Sequence, residues 1–293
     1  MGKSVTLTVV ANMTSNYGEG LGNITSVQKV FRKGKVYAVR TRESLKNSIM
    51  VQSGLYDDLE VVVQGATQKD VSKERNVANC RALEGGYMNT GNSTYIRNSS
   101  FYLTDAVACD AFVNETRFHN NLYMAQTFAA HHNINLQENS KDCGLMPYQY
   151  EYDKSLKQYS ITIDLDMVGK DPNFGEEADA KEKAYRVCAI LQAVENLTLT
   201  VKGNLDNAEP VFVVGGIVNR KTHYFENVVS VKYNILNLES SDLMERIENG
   251  CHVGLLQGGT FDNESDIVER LKPSSVTSFF NSLREEVNLY YGV

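Results

Sequence analysis

The chain begins with a regular alternation of apolar and other residues. Val5, Leu7, Val9 and Ala11 occur at every second position, with mostly threonines between them. Because successive side chains of a strand point to opposite faces, this period of two predicts a strand at the start of the fold.

A basic hairpin is predicted next, after a loop rich in glycine. Segments 29–32 and 35–40 have the pattern of two short strands, and Lys33-Gly34 joins them. Glycine supplies the positive φ that such a tight turn requires.

The segment 42–53 has the pattern of a capped helix. Thr41 can act as its N-cap, since the side-chain oxygen accepts from an early backbone N–H, and Gly54 can act as a left-handed stop. Arg42 and Lys46 are four residues apart and therefore project together from the polar side. A second strand is predicted over 59–63.

Periodicity is poor between Gln64 and Gln137. Asn, Ser, Thr and Gly are frequent in this segment, which favours an irregular insertion over a central sheet element. Only 104–112 and 120–130 have a helical pattern.

Extended patterns return at residue 147. The runs 147–152 and 158–165, joined by 153–157, predict a long hairpin that leads into a strand.

The segment 176–194 is the clearest helix, with apolar residues at i, i+3, i+4, i+7 and i+10 from Ala184. Strands are predicted after it at 197–201, 211–214 and 228–236. The last helix carries one apolar face: Val276, Phe279, Phe280, Leu283 and Val287.

Reduced to its core, the predicted order is strand, helix, strand, insertion, strand, helix, strand. This is the ferredoxin-like or RRM-like pattern of an α+β fold. Such sheets often bind RNA, but the fold hosts many functions and indicates none of them strongly.

The composition is that of an ordinary globular protein. With 293 residues, 42% of them hydrophobic and 22% charged, the chain can form one large domain or a core domain with an insertion. It lacks a run of ~18 apolar residues and a signal-peptide pattern, so we expect a cytoplasmic protein without a membrane partner. The cysteines are scattered and odd in number, which argues against disulfides and zinc: Cys80, Cys109, Cys143, Cys188 and Cys251.

Charge is distributed unevenly along the chain. The net charge of −7 has the wrong sign for binding nucleic acid through the overall field. However, 27–50 contains seven basic residues and one acidic residue, whereas 237–293 contains ten acidic and four basic residues. A nucleic-acid site would therefore have to use the local positive charge of the first segment.

Several short segments, in this order, resemble one known family. They are 5–12 (VTLTVVAN), 29–40, and 42–47 (RESLKN). Together they resemble the seventh CRISPR-associated (Cas) protein family of the RAMP superfamily, in its type I-B, DevR-like branch. Further along, 150–152 (YEY) and the strand after it are similar to that family's thumb and palm, and 214–221 (VGGIVNRK) to its later palm loop.

The resemblance implies a backbone subunit of a type I Cascade interference complex, shaped like a hand. An RRM-like palm would comprise 1–63 and 159–293, an inserted fingers region 64–137, and a β-hairpin thumb 138–158. Copies would stack head to tail along the spacer of the CRISPR RNA (crRNA) and present it to target DNA; such a contact does not close and forms a filament. The other partners that it implies are Cascade subunits of the fifth, sixth and eighth Cas families.

A guide RNA of arbitrary sequence has to be held by its phosphates and sugars, because base pairing reads the sequence. Cations on a rigid element suit this task. The expected contacts lie mainly at the corner between hairpin and helix: Asn12, Arg40, Arg42, Ser44, Lys46, Asn47, Arg220 and Lys221. The alternative is an ordinary solvated helix face.

Two further groups are candidates for contacts. The other hairpin cations can meet the target strand or a neighbouring subunit: Lys29, Arg32, Lys33 and Lys35. Thumb residues with unhydrated bulk can act as wedges between bases, or can pack within the hairpin: Met146, Tyr148 and Leu156.

We expect no enzymatic activity and no cofactor. Related type III backbone subunits cut RNA with an aspartate in the loop after the first strand; here 12–23 contains Glu19 and no Asp, so a carboxylate-dependent ribonuclease is the alternative. The GEGLG stretch at 18–22 superficially resembles a dinucleotide loop, but a strand follows it. Lys33-Gly34 begins like an RRM signature without its aromatic residues, so no base platform is predicted on the sheet.

Metal-binding and regulatory sites have little support. His131-His132 and Cys251-His252 lack ligand spacing, so no metal site is predicted. Asp164 and Asp166 share a strand face, which fits a carboxylate pair or plain solvent exposure. The DevR-like label implies gene regulation, but nothing resembles a helix-turn-helix, so regulation would act through the RNA-bound assembly.

Overall fold

The computed structural model describes residues 2–18, 24–91 and 93–293. Within these ranges the helices are α1 (Arg42–Gln52), α2 (Leu122–His131), α3 (Ala180–Glu195), α4 (Ser241–Glu248), α5 (Glu264–Leu271) and α6 (Val276–Tyr291), with a 3-10 helix at Arg81–Gly85. The strands are β1 (Ser4–Thr14), β2 (Ile24–Thr25), β3 (Lys29–Arg32), β4 (Lys35–Arg40), β5 (Val61–Gln64), β6 (Ala66–Lys69), β7 (Tyr87–Thr90), β8 (Thr94–Arg97), β9 (Phe101–Leu103), β10 (Ala106–Ala108), β11 (Glu115–His119), β12 (Tyr148–Tyr152), β13 (Lys154–Asp164), β14 (Lys170–Asp171), β15 (Glu176–Glu177), β16 (Thr198–Val201), β17 (Asn204–Asn207), β18 (Pro210–Val218), β19 (Val231–Lys232), β20 (Ile235–Leu236) and β21 (His252–Leu255).

An antiparallel main sheet organises the fold. Its strand order is β21-β18-β1-β13-β10-β4-β3, and β9 also pairs with β13. β1 lies between β13 and β18, so Val5 is opposite both Ile163 and Ile217. The predicted mixture of helices and an antiparallel sheet is confirmed.

Both faces of β1 are buried, for different reasons. Val5, Leu7 and Val9 face a core to which α1, α3 and α6 contribute. On the other face, the hydroxyls of Thr6 and Thr162 donate to the carbonyl oxygen of Thr222, at 3.1 and 3.0 Å. Thr6, which alternates with the apolar residues of β1, is thus covered by a loop whose backbone satisfies its hydrogen bond.

Local signals at the first and last helices are confirmed. The side chain of Thr41 accepts from the backbone N–H of Ser44, and Gly54 has a φ of 70° beyond the end of α1. The predicted apolar face of α6 is buried: Val276, Phe279, Phe280, Leu283 and Val287.

The predicted second strand of the main sheet is wrong. The segment 59–63 contributes to β5, which pairs with β6 in a separate hairpin. The place beside β13 is taken by β9 and β10, both within the expected fingers range 64–137. The segment 104–112, predicted as helical, contains β10, whose alternate residues Ala106 and Ala108 are buried.

Between α1 and β13, the described residues thus form two insertions in the main sheet. The first insertion, 53–100, has a small core of its own: Val71, Val77, Cys80, Ala82, Leu83 and Tyr87. Buried ion pairs link Glu84 to Arg97 (3.1 Å) and to Arg186 of α3 (2.9 Å), which anchors this insertion to the rest of the fold. The second insertion, 109–153, connects β10 to β13.

The hairpin predicted at 147–165 does not form. β12 pairs with β11 and β2, whereas β13 begins at Lys154 and pairs with β1 along its whole length. The polar residues that suggested a turn are strand residues here: Lys157 is buried, and its amine donates to Asp153 at 2.5 Å and to the carbonyl of Met13 at 2.8 Å.

Two other predicted elements have different bounds. The helix predicted at 176–194 begins only at Ala180, because Asp179 caps it. The strand predicted at 228–236 is divided into β19 and β20, because Tyr233 and Asn234 both have positive φ. No helix within the described ranges is long and apolar enough to cross a membrane.

Candidate nucleic-acid interface

An open groove of about 590 Å³ lies between the basic hairpin β3–β4 and the segment 223–232, which ends in β19. Its floor comes from β10 and β13 and includes Gln158 and Ser160. Cationic side chains outnumber carboxylates in its lining: Arg32, Lys33, Arg42 and Lys232 against Asp105 and Glu226. The groove therefore combines a polar floor with a positive rim, which suits a ribose-phosphate chain.

Arg42 is one of the predicted contacts that the structure leaves accessible. Its side chain is 62% exposed and makes a surface ion pair with Glu43 at 3.1 Å. The first amides of α1 already have acceptors, since Arg42 N donates to Asp105 and Ser44 N donates to Thr41. Anions at this corner would therefore be bound by side chains and not by the helix terminus.

Arg40 has a different environment from the one predicted. It is only 4% exposed, and its guanidinium donates to the carbonyl of Thr14 at 2.9 Å and to the hydroxyl of Ser44 at 2.7 Å. Burial lowers the pKa of Arg40 to about 10, an effect that nearby Asp206 opposes. Arg40 and Ser44 thus join the end of β1 to α1, and the buried Arg40 is not a solvent-facing contact.

Lys46 also makes its contacts within the protein. Its amine donates to the carbonyl of Gly85 at 2.7 Å and lies 4.9 Å from the centre of the Phe101 ring. Burial, with smaller contributions from Lys69 and Arg97, lowers the pKa of Lys46 to about 8. Lys46 therefore secures the first insertion against α1, while its neighbour Asn47 is exposed.

The predicted contacts Arg220 and Lys221 lie far from the corner that contains Arg40. Lys221 pairs with Asp164 at 2.7 Å and with Asp166 at 3.6 Å, and its hydrogen bond to Asp164 raises the pKa of Lys221. Asp164 is opposite Ser4, whereas exposed Asn12 is eight residues further along β1, about 27 Å away. The structure thus does not bring these residues together at one corner.

The hairpin cations differ in accessibility. Lys29 pairs with Glu151 and lies 4.8 Å from the centre of the Phe112 ring. Arg32, Lys33 and Lys35 are exposed around the tip, where Gly34 has the predicted positive φ and Lys33 has a positive φ as well. The tip is therefore the accessible part of the basic segment.

Of the predicted wedges, Met146 and Tyr148 are exposed, at 59% and 41%. Leu156 lies on β13 of the main sheet and packs against a cluster that includes Val10 and Phe212, and its carbonyl accepts from Cys109 N at 2.8 Å. The exposed apolar surface extends over parts of the second insertion that the sequence did not single out: Val113, Phe118, Tyr123 and Met124. For Tyr123 and Met124 the signal available was the largely apolar sequence of α2, LYMAQTFAAH.

The family model of the CRISPR-associated negative auto-regulator DevR/Csa2 matches residues 5–237. The chain belongs to the DevR/Csa2 family. None of the curated proteins matches it.

Solved structures support the same fold for this DevR/Csa2 chain. A chain of a "CRISPR RNA-guided surveillance complex, pre-nicking" is 11% identical with a TM-score of 0.64, over 97% of this chain and 100% of that one. A chain of a "CRISPR RNA-guided surveillance complex" is 14% identical with a TM-score of 0.56, over 96% and 99%. At these identities the similarity shows the fold.

Residues considered for metal or acid–base chemistry are dispersed in this family member. Among the described residues, no group of three His, Cys, Asp or Glu side chains is placed to hold a metal ion. Asp164 and Asp166 are both within ion-pair distance of Lys221, and His252 pairs with Glu286 at 2.9 Å. Glu19, the carboxylate of the ribonuclease alternative, lies outside the described residues.

Proposed function

We propose that this chain is a guide-binding backbone subunit of a type I, Cascade-type CRISPR RNA-guided surveillance complex. Membership of the DevR/Csa2 family supports this role, and so does a fold similar to chains of two CRISPR RNA-guided surveillance complexes. The subunit binds the sugar-phosphate backbone of the crRNA spacer and leaves the bases free to pair with target DNA.

The observation that carries the proposal is the groove beside the basic hairpin. Its rim has four exposed cations: Arg32, Lys33, Arg42 and Lys232. They outnumber the two carboxylates of the lining, Asp105 and Glu226. Flexible cations on a polar floor bind phosphates without regard to base sequence, as a guide of variable sequence requires. Arg42 replaces Arg40 and Lys46 as the principal contact of the corner.

The parts of a hand are assigned differently from the sequence-based expectation. The palm is the main sheet with α1, α3 and α6, the fingers are the first insertion, and the thumb is the second insertion. The thumb then includes β11, α2 and β12, with Met146 and Tyr148 exposed on it.

Copies of the subunit assemble head to tail in this proposal. The C-terminal part of the chain is acidic, and Glu239 is 82% exposed, whereas the tip of β3–β4 is basic. Opposite charges on separate surfaces favour a heterologous contact, which continues as a filament along the RNA. Subunits of the fifth, sixth and eighth Cas families complete the complex.

A charge-reversal experiment tests the guide-binding role. Arg32→Glu with Lys33→Glu should reduce retention of co-expressed crRNA, because both cations at the groove become anions. The matched control is Lys181→Glu, an exposed cation on α3, which packs on the opposite face of the main sheet. Equal RNA retention in the hairpin variant and the control would contradict the proposed groove.

We also propose that the subunit is not an enzyme. Complementary RNA incubated with the assembled complex and Mg²⁺ should stay intact. Regularly spaced cuts that disappear in Glu19→Ala would instead establish the ribonuclease alternative.

A further inference from the structure

A short hairpin outside the main sheet reaches the second insertion, 109–153. It consists of β16 and β17, which pair with each other from Thr198–Asn207 to Val201–Asn204. The hairpin follows directly after α3 in the chain. It therefore connects the helical layer of the fold to a region that the sheet alone does not surround.

The base of the hairpin is fixed to the core. Leu199 of β16 is 1% exposed and belongs to the core beneath the main sheet. Gln52, at the end of α1, donates to the carbonyl of Thr198 at 2.6 Å and accepts from the backbone N–H of Thr198 at 3.0 Å. The base of the hairpin thus cannot move independently of α1 and the core.

The backbone at the tip of the hairpin fixes the direction of the Lys202 side chain. Lys202 and Gly203 form the two-residue loop, and both have positive φ, at 48° and 77°. Two such residues give a turn whose twist matches that of the flanking strands. Lys202 therefore projects from a well-defined position.

The Lys202 ammonium lies in the corner between two tyrosine rings. Its Nζ is 4.8 Å from the centre of the Tyr17 ring and 5.0 Å from the centre of the Tyr150 ring. The two rings meet edge to face, with centres 6.0 Å apart and an interplanar angle of 84°. A cation in this position is attracted by the electron-rich faces of aromatic rings.

The two rings belong to different parts of the chain. Tyr17 comes just after β1 and forms a β-bridge with Val27. Tyr150 lies on β12 within the second insertion, opposite Arg117 of β11. Lys202 thus joins three segments that are distant in sequence: the end of β1, the second insertion and the hairpin after α3.

The other face of β12 is held by a separate set of contacts. Successive side chains of a strand point to opposite faces, so Glu151 points away from the side of Tyr150. The Glu151 carboxylate pairs with Lys29 and accepts from the backbone N–H of Val27 at 3.0 Å. The start of the second insertion is therefore held from both faces of β12, and Lys202 supplies the contact on one of them.

We propose that Lys202 is a positioning residue that clamps the second insertion in its orientation on the main sheet. The clamp depends on the charge of the ammonium, because the rings attract a cation and not a neutral chain of the same length. A neutral side chain at position 202 would loosen the insertion while β2, β11 and β12 keep their own pairing. This inference does not rest on the proposed function, because it concerns the protein without RNA.

Hydrogen exchange of the full-length, RNA-free protein, followed by mass spectrometry, measures how readily each segment opens. Lys202→Met removes the charge and keeps an unbranched side chain, whereas Lys202→Arg keeps the charge. Each of these side chains carries a Cβ at the same positive φ, so the comparison isolates the charge. Loss of two cation–ring contacts should raise exchange in β11, β12 and α2 roughly 5- to 30-fold in Lys202→Met, while Lys202→Arg should exchange like the wild type.

Exchange in α6 reports on the stability of the whole fold and should be the same in every variant. Lys181→Met is the matched control, because it removes an exposed cation on α3 and should leave the second insertion unchanged. Lys202→Gln, a second neutral variant, replaces Lys202→Met if that protein does not fold. Wild-type exchange in the neutral variant would overturn the clamp, and so would equal increases in the neutral variant and Lys202→Arg, or an increase that extends to α6.

Discussion

Arg42→Ala and Lys46→Ala are expected to have different effects, although the two residues are one helical turn apart. The Arg42 side chain is 62% exposed at the groove, while the Lys46 amine donates to the carbonyl of Gly85. Removal of Arg42 should weaken RNA binding, and removal of Lys46 should weaken the fold. Helical spacing alone predicts the same effect for both.

The expected magnitudes follow from these environments. Each phosphate contact to a single strand contributes about 0.7 to the slope of log affinity against log salt concentration. Loss of the Arg42 contact should therefore reduce the slope by about 0.7, or roughly 2.5-fold in relative affinity over a fourfold change in salt. Lys46→Ala leaves the Gly85 carbonyl without its donor, which should lower the free energy of unfolding by about 1–2 kcal/mol.

Fluorescence anisotropy with a labelled single-stranded RNA, from 50 to 200 mM salt, measures the slope. Urea denaturation of the RNA-free protein measures the free energy of unfolding. Lys181→Ala is the control for loss of one surface cation, and it should change neither quantity appreciably. Guides of different sequence should give the same result, because the contact is to the backbone.

The reasoning would be refuted by an unchanged slope in Arg42→Ala. It would also be refuted if Lys46→Ala reduced the slope by the same amount without loss of stability, since the Lys46 amine would then be bound to RNA and not to Gly85.

Three further predictions concern side chains that form hydrogen bonds or ion pairs within the folded chain. Arg40→Ala should lower the free energy of unfolding by about 1–3 kcal/mol in urea, because the Thr14 carbonyl loses its buried donor. Lys221→Ala should lower the free energy of unfolding by about 1–3 kcal/mol, since buried Asp164 loses its cationic partner and keeps only the backbone N–H of Asp166, and it should leave the salt slope unchanged. The folded-state pKa of Lys46 is about 8 against an ordinary 10.5, so the unfolded chain binds more protons between these values and stability should rise from pH 8 to 9.5. Denaturation at both pH values should show a smaller rise in Lys46→Met than in the wild type.

Elements with strong local signals were predictable from the sequence. Thr41 and Gly54 delimit α1 through capping chemistry that acts within a few residues. The apolar period of α6 and the alternation in β1 likewise identify each element, because a single element must bury one side.

Strand partners were not predictable, because they depend on distant residues. β9 and β10 are three residues each, too short to show a period of two, yet both pair with β13. The segment 59–63 has a stronger strand pattern and pairs elsewhere. The division of the chain into two insertions follows from this long-range choice.

The candidate groove adjoins the basic segment 27–50 that the sequence singles out, but the side chains that line the groove were not predictable. That the segment binds nucleic acid stays a prediction. However, the Lys46 amine donates to a carbonyl 39 residues later in the chain, and the Arg40 guanidinium donates to the carbonyl at the end of β1. Sequence spacing fixes the side of a helix on which a cation lies, but not which later segment covers that side.

The presence and length of RNA in the purified protein test the central claim most directly. The chain, expressed with its CRISPR array and treated with nuclease, should retain a discrete short RNA of spacer sequence, in assemblies with several copies of the subunit. A monomeric protein that is free of RNA, with Arg32, Lys33 and Arg42 covered by acidic side chains of its own chain, would contradict the account.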